Sequence, residues 1–387
     1  MCDVPALRFP EFTDEWKEVL FASNLERLEN GATYNTNDKD GVPMSRIETI
    51  STGRIDYTKV GHCSTPQKIE HYIMRYGDIL FSHINSLKHI GKTAYYSAEE
   101  PLYHGMNLLL FRCKNNVDSK FFFFLINNTH FIRKCQILAK QAVNQASIST
   151  SDLKKIKVYI PDINEQSKIQ KFLSLIEKRI ELQNKIIEDL KKLKSALADK
   201  LYSSTKGETY SFRQLFDVVN ERNKKLTYSN VLSASQELGM IERSDINIDI
   251  KFEQDSISKY KIVRRGDYVV HLRSFQGGFA FSDRTGICSP AYTILRPHDM
   301  VVYGYLSYFF TSKPFIKSLK LVTYGIRDGR SINVEEWLDM TVTLPTKREQ
   351  SHILAIINAI DNKLHNENQI HNYMFRQRTY LLKTMFI

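Results

Sequence analysis

At 387 residues, with 42% hydrophobic and 25% charged residues, the chain is long enough for two or three domains and too apolar for a disordered or fibrous protein. Its net charge of +11 and pI near 9.2 favour an acidic partner, with nucleic acid ahead of an anionic membrane because no polybasic amphipathic anchor is visible. The absence of a long apolar run or a basic leader points to a cytoplasmic protein, and five scattered cysteines without a CxxC pair suggest neither a disulfide framework nor a cysteine zinc site.

The first globule reads as mixed α/β. Short β-rich runs at 77–84 (GDILFSHI), 108–114 (LLLFRCK) and 156–161 (IKVYIP) alternate with one long helical pattern at 119–139. The aromatic run Phe121 to Phe124 fits a helix core better than a base-stacking platform. A long helix follows from Glu165 to Ser203, spanning roughly 58 Å at 1.5 Å per residue. A polar link, SSTKGETYS (203–211), then leads into a second globule with runs at 266–272 (GDYVVHL) and 340–345 (MTVTLP), and a helical pattern at 303–322. The chain closes on a second long helix. Expected domains are 1–161, 162–203, 204–345 and 346–387.

The two halves repeat. Ile160 to Tyr202 aligns without a gap to Leu344 to Phe386, pairing Pro161 with Pro345, Glu165 with Glu349 and Gln166 with Gln350. The segment RYGDILFSHI (75–84) answers RRGDYVVHLR (264–273), and the glycine of STGRI (Gly53) faintly answers that of ELGMI (Gly239). At each helix entrance the spacing of Asp162 and Glu165, and of Thr346 and Glu349, predicts a reciprocal capping box.

Apolar residues then recur at 3-4 spacing. The first stripe runs Ile169, Phe172/Leu173, Ile176, Ile180, Ile186/Ile187, Leu190, Leu193, Leu197, Leu201; the second runs Ile353, Ile356/Ile357, Ile360, Leu364, Ile370, Met374, Leu381, Met385, with Gln183 and Glu367 as polar interruptions. The simplest burial for both stripes is an antiparallel coiled coil. Leu175 and Leu182, off the expected seam, and Ile357 fit either a docking surface or packing against the globules.

No catalytic constellation emerges. Gly91-Lys92-Thr93 lacks the glycine-rich loop of a phosphate cradle, and SPAY (289–292) has Ser and Ala where the methyltransferase tetrad needs an amide or carboxylate and a second proline. What stands out are polar, basic loops at matching places: SHINSLKHIGKT (82–93) and RSFQGGFAF (273–281) after each GD strand, then AKQAVNQASIS (139–149) and TYGIRDGRSIN (323–333) before each return to a long helix. Such side chains make bidentate contacts to base edges or reach phosphates. The candidate DNA contacts are Lys88, His89, Lys92, Gln141, Asn144 and Gln145 in the first half, and Arg273, Gln276, Tyr324, Arg327 and Arg330 in the second.

The order and duplication of these motifs resemble the specificity subunit of type I restriction-modification systems. LRFPEFTDEW (7–16) resembles that family's opening segment; DGVPMSRIETISTGRI (40–55) and RYGDIL resemble its first recognition domain, and Pro161-x-x-x-Glu165-Gln166 with Pro345-x-x-x-Glu349-Gln350 its two helix entrances. The second half lacks a counterpart of GVPMSRI, and its opening YSFRQLFDVV (210–219) matches 7–16 only in apolar character.

The resemblance implies a mixed α/β fold of two target recognition domains in pseudo-twofold tandem repeat, separated by two long helices packed as an antiparallel coiled coil. It implies a host-defence subunit without catalysis or cofactor of its own. Its partners would be double-stranded DNA, two methylation subunits and, through them, restriction subunits that carry the S-adenosylmethionine, ATP and magnesium chemistry. The rival reading is a coiled-coil adaptor with no DNA specificity.

Overall fold

The computed structural model describes residues 4–33, 41–50, 53–64, 69–143, 145–235, 238–245, 254–271, 278–324 and 331–387. The chain divides into two compact units, Met1–Asn184 with Ile370–Ile387, and Lys185–Gln369. Each long helix therefore contributes one part to each unit. Among the described residues no helix is long and apolar enough to cross a membrane.

In the first unit a four-stranded antiparallel sheet runs in the order Leu25–Asn30, Leu109–Cys113, Ile79–Phe81, Thr93–Tyr95. Its register sets Ile79 opposite Phe111 and Leu80 opposite Leu110. Alternation then sorts the side chains. Ile79, Phe81, Leu109 and Phe111 enter a core with Phe21 and Phe121 to Phe124, while Leu80, Leu110 and Ala94 enter another with Ile50, Met74 and Leu102. Both faces are covered, which is why these strands read as near-continuous apolar runs. The four phenylalanines of 121–124 are all core residues.

The second unit rebuilds the same sheet as Phe216–Val219, Thr293–Pro297, Tyr268–Val270, Phe279–Phe281. Tyr268, Val270 and Leu295 face one core, and Val269, Ala280 and Ile294 the other. Each unit also carries a two-stranded ribbon that ends at its long-helix entrance: Lys17–Leu20 with Lys157–Ile160, and Glu208–Ser211 with Thr341–Leu344. These ribbons correct one expected alignment. The structural counterpart of 210–219 is the segment near 19–28, with Phe21 answering Phe212, both buried; the segment 7–16 lies outside that correspondence.

The repeated GD pairs have a common physical role. Gly77 (φ +92°) and Gly266 (φ +99°) take the left-handed turn that a Cβ disfavours. Each following aspartate is thereby turned inward. Asp78 accepts the Arg75 amide at 2.7 Å and the Arg112 guanidinium in a fork of two 2.7 Å bonds. Asp267 accepts the Arg264 amide at 2.8 Å and Arg296 in a fork of two 3.0 Å bonds. In both, the bidentate aspartate holds the guanidinium above its ordinary pKa.

Both expected helical patterns are broken. Asn127 and Asn128 split the first into Ser119–Ile126 and Thr129–Leu138, because Asn128 caps the second piece by accepting the Phe131 amide at 2.7 Å. Ser312 and Pro314 do the same in the second unit, giving Tyr305–Phe309 and Lys313–Ser318.

The long helices span Ile163–Ser203 and Lys347–Thr384. At each entrance a buried glutamine ties the helix to its unit. Gln166 donates to the Pro161 carbonyl at 2.9 Å and accepts the Asp118 amide at 3.0 Å. Gln350 donates to the Pro345 and Met300 carbonyls, each at 2.9 Å, and accepts the Val302 amide at 2.8 Å.

The capping boxes differ. Thr346 and Glu349 form the reciprocal pair, with the Thr346 amide donating to Glu349 at 3.2 Å and the Glu349 amide to Thr346 Oγ1 at 3.3 Å. At the first entrance Asp162 caps the helix, accepting the Asn164 amide at 2.8 Å, but Glu165 does not reach back. Its carboxylate is taken by Arg8, at 2.7 and 2.8 Å.

Within each unit the two helices run in opposite directions. In the first, Leu381, Leu382, Met385 and Phe386 share a core with Ile169 and Leu173, and Glu177 accepts Arg378 at 2.9 Å. In the second, Ala198 shares a core with Ile353 and Ile357, and Lys194 pairs with Asp361 at 2.5 Å. The stripe is narrower than expected: Ile186, Leu193 and Ile370 are exposed. Gln183 and Glu367 are buried, and each is engaged by other groups. Ile357 is core, whereas Leu175 (66% exposed) and Leu182 (53%) face outward.

Candidate nucleic-acid interface

In the first unit the two polar loops meet in one small sheet. Its order is Ile84–Asn85, Ala146–Ser147, Lys140–Gln141, all antiparallel. The outer pair is a hairpin in which Ala142 and Gln145 exchange backbone hydrogen bonds at 2.7 and 3.4 Å. The inner pair ties that hairpin to the segment leaving the GD strand. Sequence pattern places both loops at the surface but cannot show this pairing, since the strands are two residues long and about sixty apart.

The hairpin is held from below. Ala146 and Ile148 are buried, and the Ile148 amide donates to the His83 carbonyl at 2.9 Å. His83 is itself buried, its Nδ1 has no hydrogen-bond partner, and burial pushes its pKa down to about 4. The ring is therefore neutral near pH 7 and adds no charge to the site.

Lys88 and His89 lie on the 3-10 turn Leu87–His89, Lys88 exposed and His89 half-buried. Leu87 and Ile90 anchor this turn in the core, and Gly91 (φ +87°) packs on Ile132 of the helix Thr129–Leu138. Lys92 is half-buried beyond it, with its carbonyl accepting the Ser82 amide at 2.8 Å. Gly91-Lys92-Thr93 is thus a turn into the strand Thr93–Tyr95.

Gln141 and Gln145 are both exposed on the hairpin. Asn144, between them, lies outside the described residues. Lys140, in the same loop but not among the candidate contacts, is exposed on the same strand as Gln141, and Arg133 and Lys134 are exposed on the preceding helix. The pairing of Lys140 with Ser147 is the signal that places it, and pairing is a non-local property. This edge offers exposed cations beside exposed amides. Cations reach phosphates, and amides form bidentate bonds to base edges.

The second unit repeats the frame. A hairpin pairs Thr323–Tyr324 with Ser331–Ile332, and Ile332 is buried as Ile148 is. Asn333 caps the next short helix as Ser149 does in the first unit, accepting the Glu335 amide at 3.2 Å where Ser149 accepts that of Asp152 at 3.0 Å. Tyr324 is on a hairpin strand. Arg273, Gln276, Arg327 and Arg330 lie outside the described residues. Among the described residues no group of three His, Cys, Asp or Glu side chains could hold a metal ion.

Residues 14–192 match the family model for the type I restriction modification DNA specificity domain. Over 211 residues the chain is 42% identical to the putative type I restriction enzyme MjaX specificity subunit of Methanocaldococcus jannaschii, covering 53% of this chain and 49% of that protein. Over 205 residues it is 23% identical to the type I restriction enzyme MjaVIII specificity subunit of the same organism, covering 49% and 46%. The chain spans about half the length of these curated relatives.

Among solved structures, the S subunit of a type I restriction-modification system from M. genitalium superposes with a TM-score of 0.56 at 15% identity, covering 99% of each chain. A chain from work on the structural basis of complex assembly and conformational transition of the type I R-M system gives 0.59 at 13% identity, covering 95% of this chain and 96% of that one. At such identities the likeness is one of fold. Residues 14–192 are thus similar to the type I restriction-modification DNA specificity domain, and the chain over its whole length has a fold like that of a type I S subunit.

Proposed function

We propose that this chain is the non-catalytic, DNA-reading subunit of a type I restriction-modification complex. Each globule, 1–161 and 204–345, reads one half of a split, asymmetric sequence in double-stranded DNA. The helices 162–203 and 346–387 set the number of unread base pairs between the halves, since half-site spacing follows protein geometry. They also dock two methylation subunits, with restriction subunits joining through the complex; the outward-facing Leu175 and Leu182 support a protein-binding role for this helix. S-adenosylmethionine, ATP and magnesium belong to those partners.

One observation carries the reading. Each unit has the same four-stranded order, the same Asp–Arg fork and a hairpin at the same point, yet the hairpin sequences KQAVNQAS and TYGIRDGRSI differ. A duplicated enzyme would keep its polar loops alike. A pair of readers for unlike half-sites would keep the frame and vary the loops.

The test is to express the chain with a methylation subunit and map methylated bases on host DNA. A two-part motif with a fixed gap is expected; a single contiguous palindrome, or no methylation, would overturn the reading. Inserting one heptad into the first long helix should change or abolish the recognised gap while both half-sites persist. An unchanged gap would show that the helices do not set it.

A further inference from the structure

The hairpin of the first unit carries an apolar residue where turn chemistry does not call for one. Val143 occupies the loop between Lys140–Gln141 and Ala146–Ser147 and is 99% exposed. Tight loops favour Gly, Asn, Asp, Ser and Pro, because these supply the dihedrals or bond their own backbone. A β-branched side chain does neither, and among the described residues nothing covers it. Its surroundings are polar: Gln141 and Gln145 on either side, and Lys140 one residue further back, all exposed.

The backbone on either side of this residue is nevertheless held in place. Ala142 and Gln145 close the loop by backbone bonds, and the strand after it is pinned by Ala146 and Ile148 in the core and by the bond from Ile148 to the His83 carbonyl. A two-stranded ribbon of this kind fits the major groove of B-DNA. The floor of that groove is lined by hydrogen-bonding groups, and its one apolar group is the C5-methyl of thymine.

We propose that Val143 is a specificity-determining residue of the first half-site, its methyl groups packing on the C5-methyl of a thymine while the flanking amides read neighbouring base edges. This rests on the DNA-reading function proposed above and adds a base identity to it. A wedge that opens a base step from the minor groove is the other use of an exposed apolar side chain at a DNA surface. It would be indifferent to the thymine methyl.

The test uses the full chain purified with its methylation subunit. A target is first selected from random duplex DNA, then each thymine of the first half-site is replaced in turn by deoxyuridine, which removes only the C5-methyl. Wild type should bind about 3- to 5-fold more weakly at one such position, the size set by one lost methyl contact. Val143→Ser should bind the thymine and deoxyuridine targets equally. Ile137→Ser, altering an exposed aliphatic residue on the preceding helix, should keep the wild-type discrimination. A first half-site without thymine, or deoxyuridine effects that persist in Val143→Ser, would overturn this inference and leave the DNA-reading role standing. Failure to select any defined target would overturn both.

Discussion

Arg8 closes a two-bond fork on Glu165, whose side chain has no exposed surface, although the two residues are 157 positions apart. The carboxylate holds the guanidinium above its ordinary pKa. The equivalent Glu349 instead turns back on Thr346 in an exposed capping box. One repeated motif therefore has two unequal energetic roles. Arg8→Ala leaves a buried charge without its counter-ion and should destabilise the chain by about 3–5 kcal/mol. Glu349→Ala removes half of a cap and should cost about 1 kcal/mol. Urea denaturation of both variants checks the ranking, and equal losses would contradict it.

The two Asp–Arg forks predict a second ranking. Arg112 is 10% exposed beside Asp78, whereas Arg296 is 33% exposed beside Asp267. Replacing Arg112 by Met should cost about 3–5 kcal/mol because Asp78 cannot be rehydrated. Replacing Arg296 should cost clearly less, since water already reaches that fork. Thermal melts of the two variants measure the order.

Acid should weaken the first unit through its buried histidines. His83 and His104 are both pushed down to about 4 by burial, although in His104 a bond to the Leu108 carbonyl opposes that shift. Below pH 6.5 the unfolded chain takes up protons that the folded chain refuses. The stability is thus full above about pH 6.5 and declines as the pH falls from there toward 4. In His83→Leu the decline between pH 6.5 and 4.5 should be shallower than in wild type, as read from denaturation midpoints across that range.

Lys88 and Gln141 should fail differently as DNA contacts. Lys88→Ala is expected to weaken binding evenly across targets and to reduce the slope of log affinity against log salt by about 1, as loss of one phosphate contact does. Gln141→Ala should relax one base position of the first half-site at a cost of about 1–3 kcal/mol and leave the second half-site intact. Equal loss at both half-sites would count against direct readout by Gln141.

Local features were the legible ones. The long helices follow from periodicity, the entrances from Pro161 and Pro345, and the buried sheet strands from runs such as Leu108 to Phe111. Pairings between distant residues were not: Glu165 has the spacing of a capping box, and only the fold brings Arg8 to it. The split at Asn127 and Asn128 has a local signal, a capping asparagine, masked by the apolar residues on either side of it. At the candidate site both loops could be named from composition, but their union through Ala146 and Asn85 is a register, which no single segment encodes.

The recurring hairpin has a consequence for descent. In the first unit the described loop residues Ala142, Val143 and Gln145 are exposed, and the strand after them is anchored by buried Ala146 and Ile148. Substitutions at those exposed positions leave the first unit's core as it is, so this loop can vary at little cost in stability. Under the function proposed above, a new recognition sequence would need only a handful of replaced residues, while whatever depends on the rest of the chain would be inherited unchanged.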